Sequence, residues 1–278
     1  MLYDSHAHLN NEDFTDEERA EFIARADEAV RNGMLTYVND VGFDLASSKM
    51  AACHAKQYPW CYAVVGCHPH DADNFDEVQF EMIKSLAKKD KVQAIGEIGL
   101  DFHYDNSDRE AQRYWFRRQV QLANELRMPI VIHSRDADNE CLQILKEEGA
   151  FSAERCSWFP KRNNVPDARV LLHCFSGSAE LGRQYVKLGA TLSMAGPLTY
   201  KNNRKGVETA ETIPIEYLLV ETDSPYLAPE PHRGRQNHPE FVQFTARRLA
   251  DIKKISFEET ARITRENAMR FFNIKSDL

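Results

Sequence analysis

The sequence predicts a (β/α)8 TIM barrel forming one domain over residues 1–278, and three observations predict it. Short β-rich apolar runs alternate with longer stretches of helical period, as βα units require. Eight such runs fit into 278 residues, and a closed parallel barrel of that kind occupies roughly 250. Histidines and carboxylates recur at the carboxyl ends of these runs, the rim on which barrel enzymes build their sites. An open doubly wound sheet shares the alternation, but no glycine-rich phosphate fingerprint follows the first strand.

Taken in order, Leu2-Tyr3 opens the first strand and leads to His6. Thr15 with Glu18 makes a capping box for a helix that Gly33 closes. Residues 35–38 form the second strand, with a helix over 44–57, and residues 61–65 form the third, running into Cys67-His68-Pro69-His70. A helix near 76–89 precedes the fourth strand, 92–95, which ends toward Glu97. The long helix 107–127 stops before Met128-Pro129, because the residue before proline is pushed out of the helical region. Residues 130–132 lead to His133, and a helix follows near 136–148. The segment 151–166 is irregular, with two prolines and the basic residues Arg155, Lys161 and Arg162. Residues 170–172 lead to His173, 190–193 form the seventh strand, and 218–220 lead to Asp223. Two helices end the chain, the second opened by Ser256 with Glu259. No linker, repeat or low-complexity tract divides it.

With 42% hydrophobic residues the chain can bury a sizeable core. Its 35 Lys and Arg against 43 Asp and Glu leave a net charge of -8, so global charge gives no nucleic-acid footprint. Bound divalent ions and a local basic rim can still reverse the sign of a cleft. Cys53, Cys61, Cys67, Cys141, Cys156 and Cys174 are scattered without a CxxC. The opening residues are too polar for a secretory leader, and no apolar run approaches the ~20 residues of a membrane span. The expectation is a cytoplasmic protein with reduced thiols, no membrane segment and no obligate protein partner.

His6, His8, His68, Glu97, His133, His173 and Asp223 all stand at strand carboxyl ends. Strand side chains alternate with period two, so His6 and His8 point the same way. Singly, each has an ordinary reading: a core histidine, a turn-capping aspartate, a salt-bridged glutamate. Together they converge on one rim. Four imidazoles and two carboxylates exceed the needs of one tetrahedral ion, which suggests two divalent ions with Glu97 as the bridge. The mixed nitrogen and oxygen set suits Zn²⁺ or Mn²⁺, whereas Mg²⁺ prefers more oxygen.

Seven stretches in chain order carry a family resemblance. They are Asp4-Ser5-His6-Ala7-His8, Gly66-Cys67-His68-Pro69-His70, Gly96-Glu97-Ile98-Gly99-Leu100-Asp101, Pro129-Ile130-Val131-Ile132-His133-Ser134-Arg135, His173-Cys174-Phe175-Ser176-Gly177, Glu221-Thr222-Asp223-Ser224-Pro225-Tyr226-Leu227 and Pro231-His232-Arg233-Gly234-Arg235-Gln236-Asn237. From residue 4 to about 272 the chain resembles the TatD family of metal-dependent deoxyribonucleases, within the amidohydrolase superfamily. The resemblance implies that His6, His8, Glu97 and Asp223 hold one ion and that Glu97, His133 and His173 hold the second. Asp223, Glu97 and His68 then serve catalysis, with His68 beside the ions against substrate or leaving group, and Arg233 is a candidate phosphate contact or else a surface-loop charge. The implied activity is 3′-to-5′ exonuclease cleavage of single-stranded DNA by a metal-activated water.

The ligand set alone equally serves a bimetal amidohydrolase acting on an amide, ester or lactone, or a D-aminoacyl-tRNA deacylase. Two features depart from the family. Cys67 replaces an apolar residue, an extra ligand or a small core residue. The segment 151–166 is longer than usual and is expected to reshape the mouth of the site. Its Trp158, Phe159, Lys161 and Arg162 are candidates to stack a base and track a backbone, or an ordinary loop with a partly buried Trp, with Lys201, Arg204 and Lys205 as a further rim or a solvated helix face.

Overall fold

The computed structural model describes residues 1–162 and 165–275; Asn163 and Asn164 of the irregular segment, and 276–278 of the expected domain, lie outside the described residues. The eight strands are β1 (Leu2–Ala7), β2 (Leu35–Val41), β3 (Cys61–Val65), β4 (Val92–Asp101), β5 (Ile130–Arg135), β6 (Val170–Leu172), β7 (Thr191–Met194) and β8 (Leu218–Val220). They pair in chain order, every neighbour parallel. A bridge between Ala7 and Ser224 draws β8 against β1, with His8 N–H on the Ser224 carbonyl at 2.7 Å and Asp223 N–H on that of His6 at 2.9 Å. The sheet is therefore a (β/α)8 barrel, and the open alternative falls away.

Helices α1 (Asp16–Arg31), α2 (Leu45–Gln57), α3 (Glu77–Leu86), α4 (Arg109–Leu126), α5 (Asp138–Glu147), α6 (Ala153–Ser157), α7 (Ala179–Lys187), α8 (Arg204–Thr212), α9 (Val242–Lys253) and α10 (Phe257–Phe271) surround it. Thr15 and Glu18 complete the capping box of α1, and the Ser256 side chain accepts from Glu259 N–H at the start of α10. No helix among the described residues is long and apolar enough to cross a membrane.

Period-two alternation sorts the strand residues into two cores. Tyr3, Val64, Ala94, Val131, Leu171 and Leu219 fill the barrel, packed at its amino-terminal end against Phe271, Phe272 and Ile274. Leu2, Val65, Ile95, Ile132, Leu172 and Val220 face the helices.

Two irregularities then set which side chains reach the rim. Pairing in β1 steps from Asp4–Val38 to Ala7–Asp40, three residues against two. The extra residue reverses the alternation, so Tyr3 points inward below it and His6 and His8 point inward above. Strand β4 repeats the device between Ile95–Ile130 and Ile98–Ile132. The inward phase passes from Ala94 to Glu97 and Asp101. In β5, β6 and β8 no reversal is needed, because His133, His173, Glu221 and Asp223 continue the phase of Val131, Leu171 and Leu219.

The described residues of the irregular segment lie at the other end of the barrel, which corrects the expectation that the segment shapes the mouth. Arg155 is fully buried and donates to the carbonyls of Ala168 (2.8 Å) and Met128 (2.7 Å) and to Asn124 Oδ1 (2.8 Å). Arg162 donates to the Glu216 carbonyl at 2.7 Å and lies over Tyr217. Ala168, Met128 and Glu216 stand two residues before the starts of β6, β5 and β8. Phe159 sits beneath Arg169 and Trp158 beneath Arg127. A helix-to-strand connection in this barrel returns to the amino-terminal end, away from the catalytic face, so Trp158, Phe159, Lys161 and Arg162 are not placed to hold a strand there. Arg155→Met leaves three buried acceptors unpaired and is expected to cost about 3 kcal/mol in denaturant unfolding, with turnover of the folded protein within about twofold.

Candidate metal centre

Glu97 is the centre of the rim. Its Oε2 lies 3.2 Å from His6 Nε2 and 3.9 Å from His8 Nε2. Asp223 Oδ1 closes that side at 3.8 and 3.4 Å from the same two nitrogens, which are 3.3 Å apart. Its Oε1 lies 2.6 Å from His173 Nε2, 2.9 Å from His133 Nδ1 and 3.6 Å from His68 Nε2. The structure thus brings all six expected ligands together, with His68 against them. Donors bonded at about 2.1 Å around a tetrahedral ion stand about 3.4 Å apart. The Oε2 group spans 3.2 to 3.9 Å, so its spacing fits a divalent ion.

Proton positions give a second test of fit. His8 Nδ1 meets the Val41 carbonyl at 2.8 Å and must donate there, which turns a bare Nε2 lone pair toward two carboxylates. His133 Nε2 meets Asp101 Oδ2 at 3.0 Å and His173 Nδ1 meets Glu221 Oε1 at 3.3 Å. Each outer nitrogen finds an oxygen acceptor and each inner one faces Glu97, the pattern of metal-ligating histidines. His6 departs from it, since its buried Nδ1 has no partner. His68 differs in kind: its Nδ1 accepts the His70 N–H at 3.1 Å, so the neutral ring carries its proton on Nε2. It is built to donate toward the centre.

Without a cation the cage balances itself with protons. Burial works to raise Glu97, but His173, His6 and His133 hold its carboxyl well below the usual range. Burial pulls His8, His133 and His173 down, yet the carboxylates facing them leave all three above the ordinary imidazole value. His6 and His68 fall below it, through burial and through their neighbours His173 and His133.

Asp101 and Glu221 were not singled out as site residues in the sequence, although the signal was present. Glu97 and Asp101 are four apart and Glu221 and Asp223 two apart, so period two puts each pair on one side, as it does His6 and His8. Asp4 is a further buried group. It accepts from Thr222 N–H at 2.9 Å and from the Thr222 hydroxyl at 2.6 Å, tying β1 to β8 beside the ligands. Between Glu97 and Asp101, Gly99 has φ +148° and lies so close to β5 that a Cβ would fall 1.9 Å from the His133 carbonyl oxygen. Gly99→Ala must push β4 off β5 at the ligand pair. It is expected to lose at least ~3 kcal/mol in thermal unfolding.

The centre floors a cleft of about 780 Å³ whose rim includes Phe43, Tyr104, Arg135 and Tyr226. Arg135 is the one Lys or Arg among its described lining residues. Arg233 does not line it; that side chain is exposed, with its guanidinium 4.3 Å from the Tyr200 ring centre. Lys201 and Arg204 line a separate hollow with Tyr200. Cys67 is a buried core residue whose N–H is held by Gln119 Oε1 at 2.8 Å.

A family model described as TatD related DNase matches residues 3–273. A relative from Bacillus subtilis named an uncharacterized metal-dependent hydrolase, YabD, is 42% identical over 275 residues, covering 99% of this chain and all of that protein. The Mycobacterium tuberculosis protein named an uncharacterized metal-dependent hydrolase, TatD, is 33% identical, with 98% of both chains covered. Among solved structures, the Escherichia coli K12 TatD homolog YJJV superposes with a TM-score of 0.84 at 25% identity, covering 99% of this chain and 98% of that one. A match over nearly the full length, by sequence and by fold, settles the family: this chain belongs to the TatD related DNases.

Proposed function

We propose that this protein is a metal-dependent hydrolase of phosphodiester bonds, a deoxyribonuclease that shortens single-stranded DNA from its 3′ end. The division of the donors between the two oxygens of one carboxylate supports a two-ion hydrolase, and the match of residues 3–273 to the TatD related DNase model supports DNA as its substrate. His6 and His8, with Asp223 beside them, face Glu97 Oε2, whereas His133 and His173 face Oε1. Two divalent ions bridged by Glu97 fit that division, and when bound they would supply water activation and offset the charge of phosphoryl oxygens. Asp223, at the edge of the cleft, orients the attacking water and takes up its proton. The Nε2–H of His68 donates to the oxygen of the departing 3′ alcohol or to a phosphoryl oxygen. Asp101 and Glu221 fix the rings of His133 and His173. Arg135, in the place expected for Arg233, provides the fork that suits phosphate.

Incubation of 5′-labelled single strands with protein loaded in turn with Mg²⁺, Mn²⁺ or Zn²⁺ tests the reading. A ladder shortening stepwise from the 3′ end is the expected result, with Arg135→Ala raising KM about tenfold. Metal-loaded protein that leaves DNA whole but opens esters, amides or lactones would contradict it.

A further inference from the structure

Among the described residues, few large apolar side chains are exposed, and three of them, Tyr104 (55%), Tyr226 (50%) and Leu227 (38%), line this one cleft. Tyr104 follows β4 and Tyr226 follows β8. In a ring of eight strands paired in chain order these are opposite walls. Exposed rings gathered at a cleft mark a binding surface.

Both rings are tied to the metal centre and to residues beside it. The Tyr226 hydroxyl accepts from Asn11 Nδ2 at 2.6 Å, its N–H donates to the Asp223 carbonyl at 2.9 Å, and its ring stands edge-on to His8 at 6.0 Å. Tyr104 N–H donates to Asp101 Oδ1 at 2.9 Å, its ring stands edge-on to His70 at 5.6 Å, and the Arg135 guanidinium lies 4.5 Å from its centre. The Tyr226 ring is thus anchored at its hydroxyl and the Tyr104 ring is packed against Arg135 and His70, which lowers the rotamer freedom lost when a ligand arrives.

We propose that Tyr226 and the Tyr104–Arg135 stack are base-stacking walls on opposite sides of the metal centre, taking the nucleobases that flank the scissile phosphate of an unpaired strand. This rests on the nuclease reading and names its substrate class more closely. Every nucleobase has a π-face that stacks on an aromatic ring or a guanidinium plane, so such walls accept any sequence. In a duplex those faces are covered by neighbouring bases. The walls thus select single strands by chemistry.

The test uses metal-loaded protein and single strands whose last or penultimate 3′ nucleotide is either normal or abasic. Wild type is expected to favour the base-bearing end by on the order of tenfold in kcat/KM. Tyr226→Ala and Tyr226→Leu should erase that preference, chiefly through KM, while Tyr226→Phe, which loses only the Asn11 bond, should keep it. Tyr104→Ala should erase the preference at the other position. Independently of turnover, 2-aminopurine at the 3′ end should be quenched on binding to wild type and less so with Tyr226→Leu. DNA cleaved equally well with and without terminal bases, or a preference that survives in both alanine variants, overturns the stacking walls and leaves the nuclease intact. If wild type cleaves no DNA the nuclease reading fails, and unquenched 2-aminopurine then removes the walls as well.

Discussion

Glu97→Gln is expected to leave the fold in place and turnover at least ~10³-fold lower, the scale of a lost catalytic charge. The substitution keeps the shape of the side chain and removes its charge. Its amide then presents N–H donors or a neutral oxygen to nitrogens that now lie 2.6 to 3.2 Å from a carboxylate. Both halves of the cage share this residue, so both should lose metal affinity, whereas replacing His8 or Asp223 touches one half. Elemental analysis of protein purified without chelator, paired with rates on single-stranded DNA, measures the two effects together. Full metal content with activity within tenfold of wild type would mean that Glu97 is not the bridge.

A second large effect is expected with pH. His8, His133 and His173 sit above the ordinary imidazole value in the metal-free cage, and each must give up its proton before it can ligate. Metal affinity should therefore rise with pH through that raised range, by up to ~tenfold per pH unit for each proton displaced. The metal-free fold behaves in the opposite sense. A raised imidazole stabilises it fully below roughly pH 6.5, the unfolded value, and the benefit fades as pH rises through the folded value. Glu97, Asp101 and Asp223 are depressed, each against its own burial, by His173, His133 and His8 respectively. Their contribution is present above about pH 4 and is lost on further acidification. Thermal unfolding from pH 5.5 to 8 with and without Mn²⁺ or Zn²⁺ should show a metal-induced gain in Tm that grows with pH. A flat or shrinking gain would contradict the proton-filled cage.

Much of the barrel was legible because its signals are local. The Thr15–Glu18 box, the apolar runs and the stop before Pro129 each act over a few residues. The candidate ligands were legible because six side chains of metal-ligating type at strand ends are costly to explain one by one. What was hidden depends on pairing. Simple alternation from Tyr3 would turn His6 outward, and only the extra residue in β1, visible in its register with β2, restores it. The same holds for Glu97 in β4. The aromatic and basic content of the segment around Trp158 suits a binding loop and an ordinary loop with a partly buried Trp alike. Content does not say which end of a barrel a loop occupies, but connectivity does, and a connection from α5 to β6 belongs at the amino-terminal end. Arg233 fits phosphate by its chemistry, yet it stacks on Tyr200, and Arg135, two residues beyond a ligand on β5, reaches the cleft instead.

The central claim is that Glu97 joins two groups of donors from different strands around bound cations. Anomalous diffraction from crystals grown with Mn²⁺ or Zn²⁺ measures this directly. The expected map has two peaks about 3.5–4 Å apart, one within ~2.3 Å of His6, His8 and Asp223, the other equally near His133 and His173, and both touching Glu97. Peaks that avoid Glu97, or a metal-soaked crystal in which Glu97 stays hydrogen-bonded to His133 and His173, would contradict it.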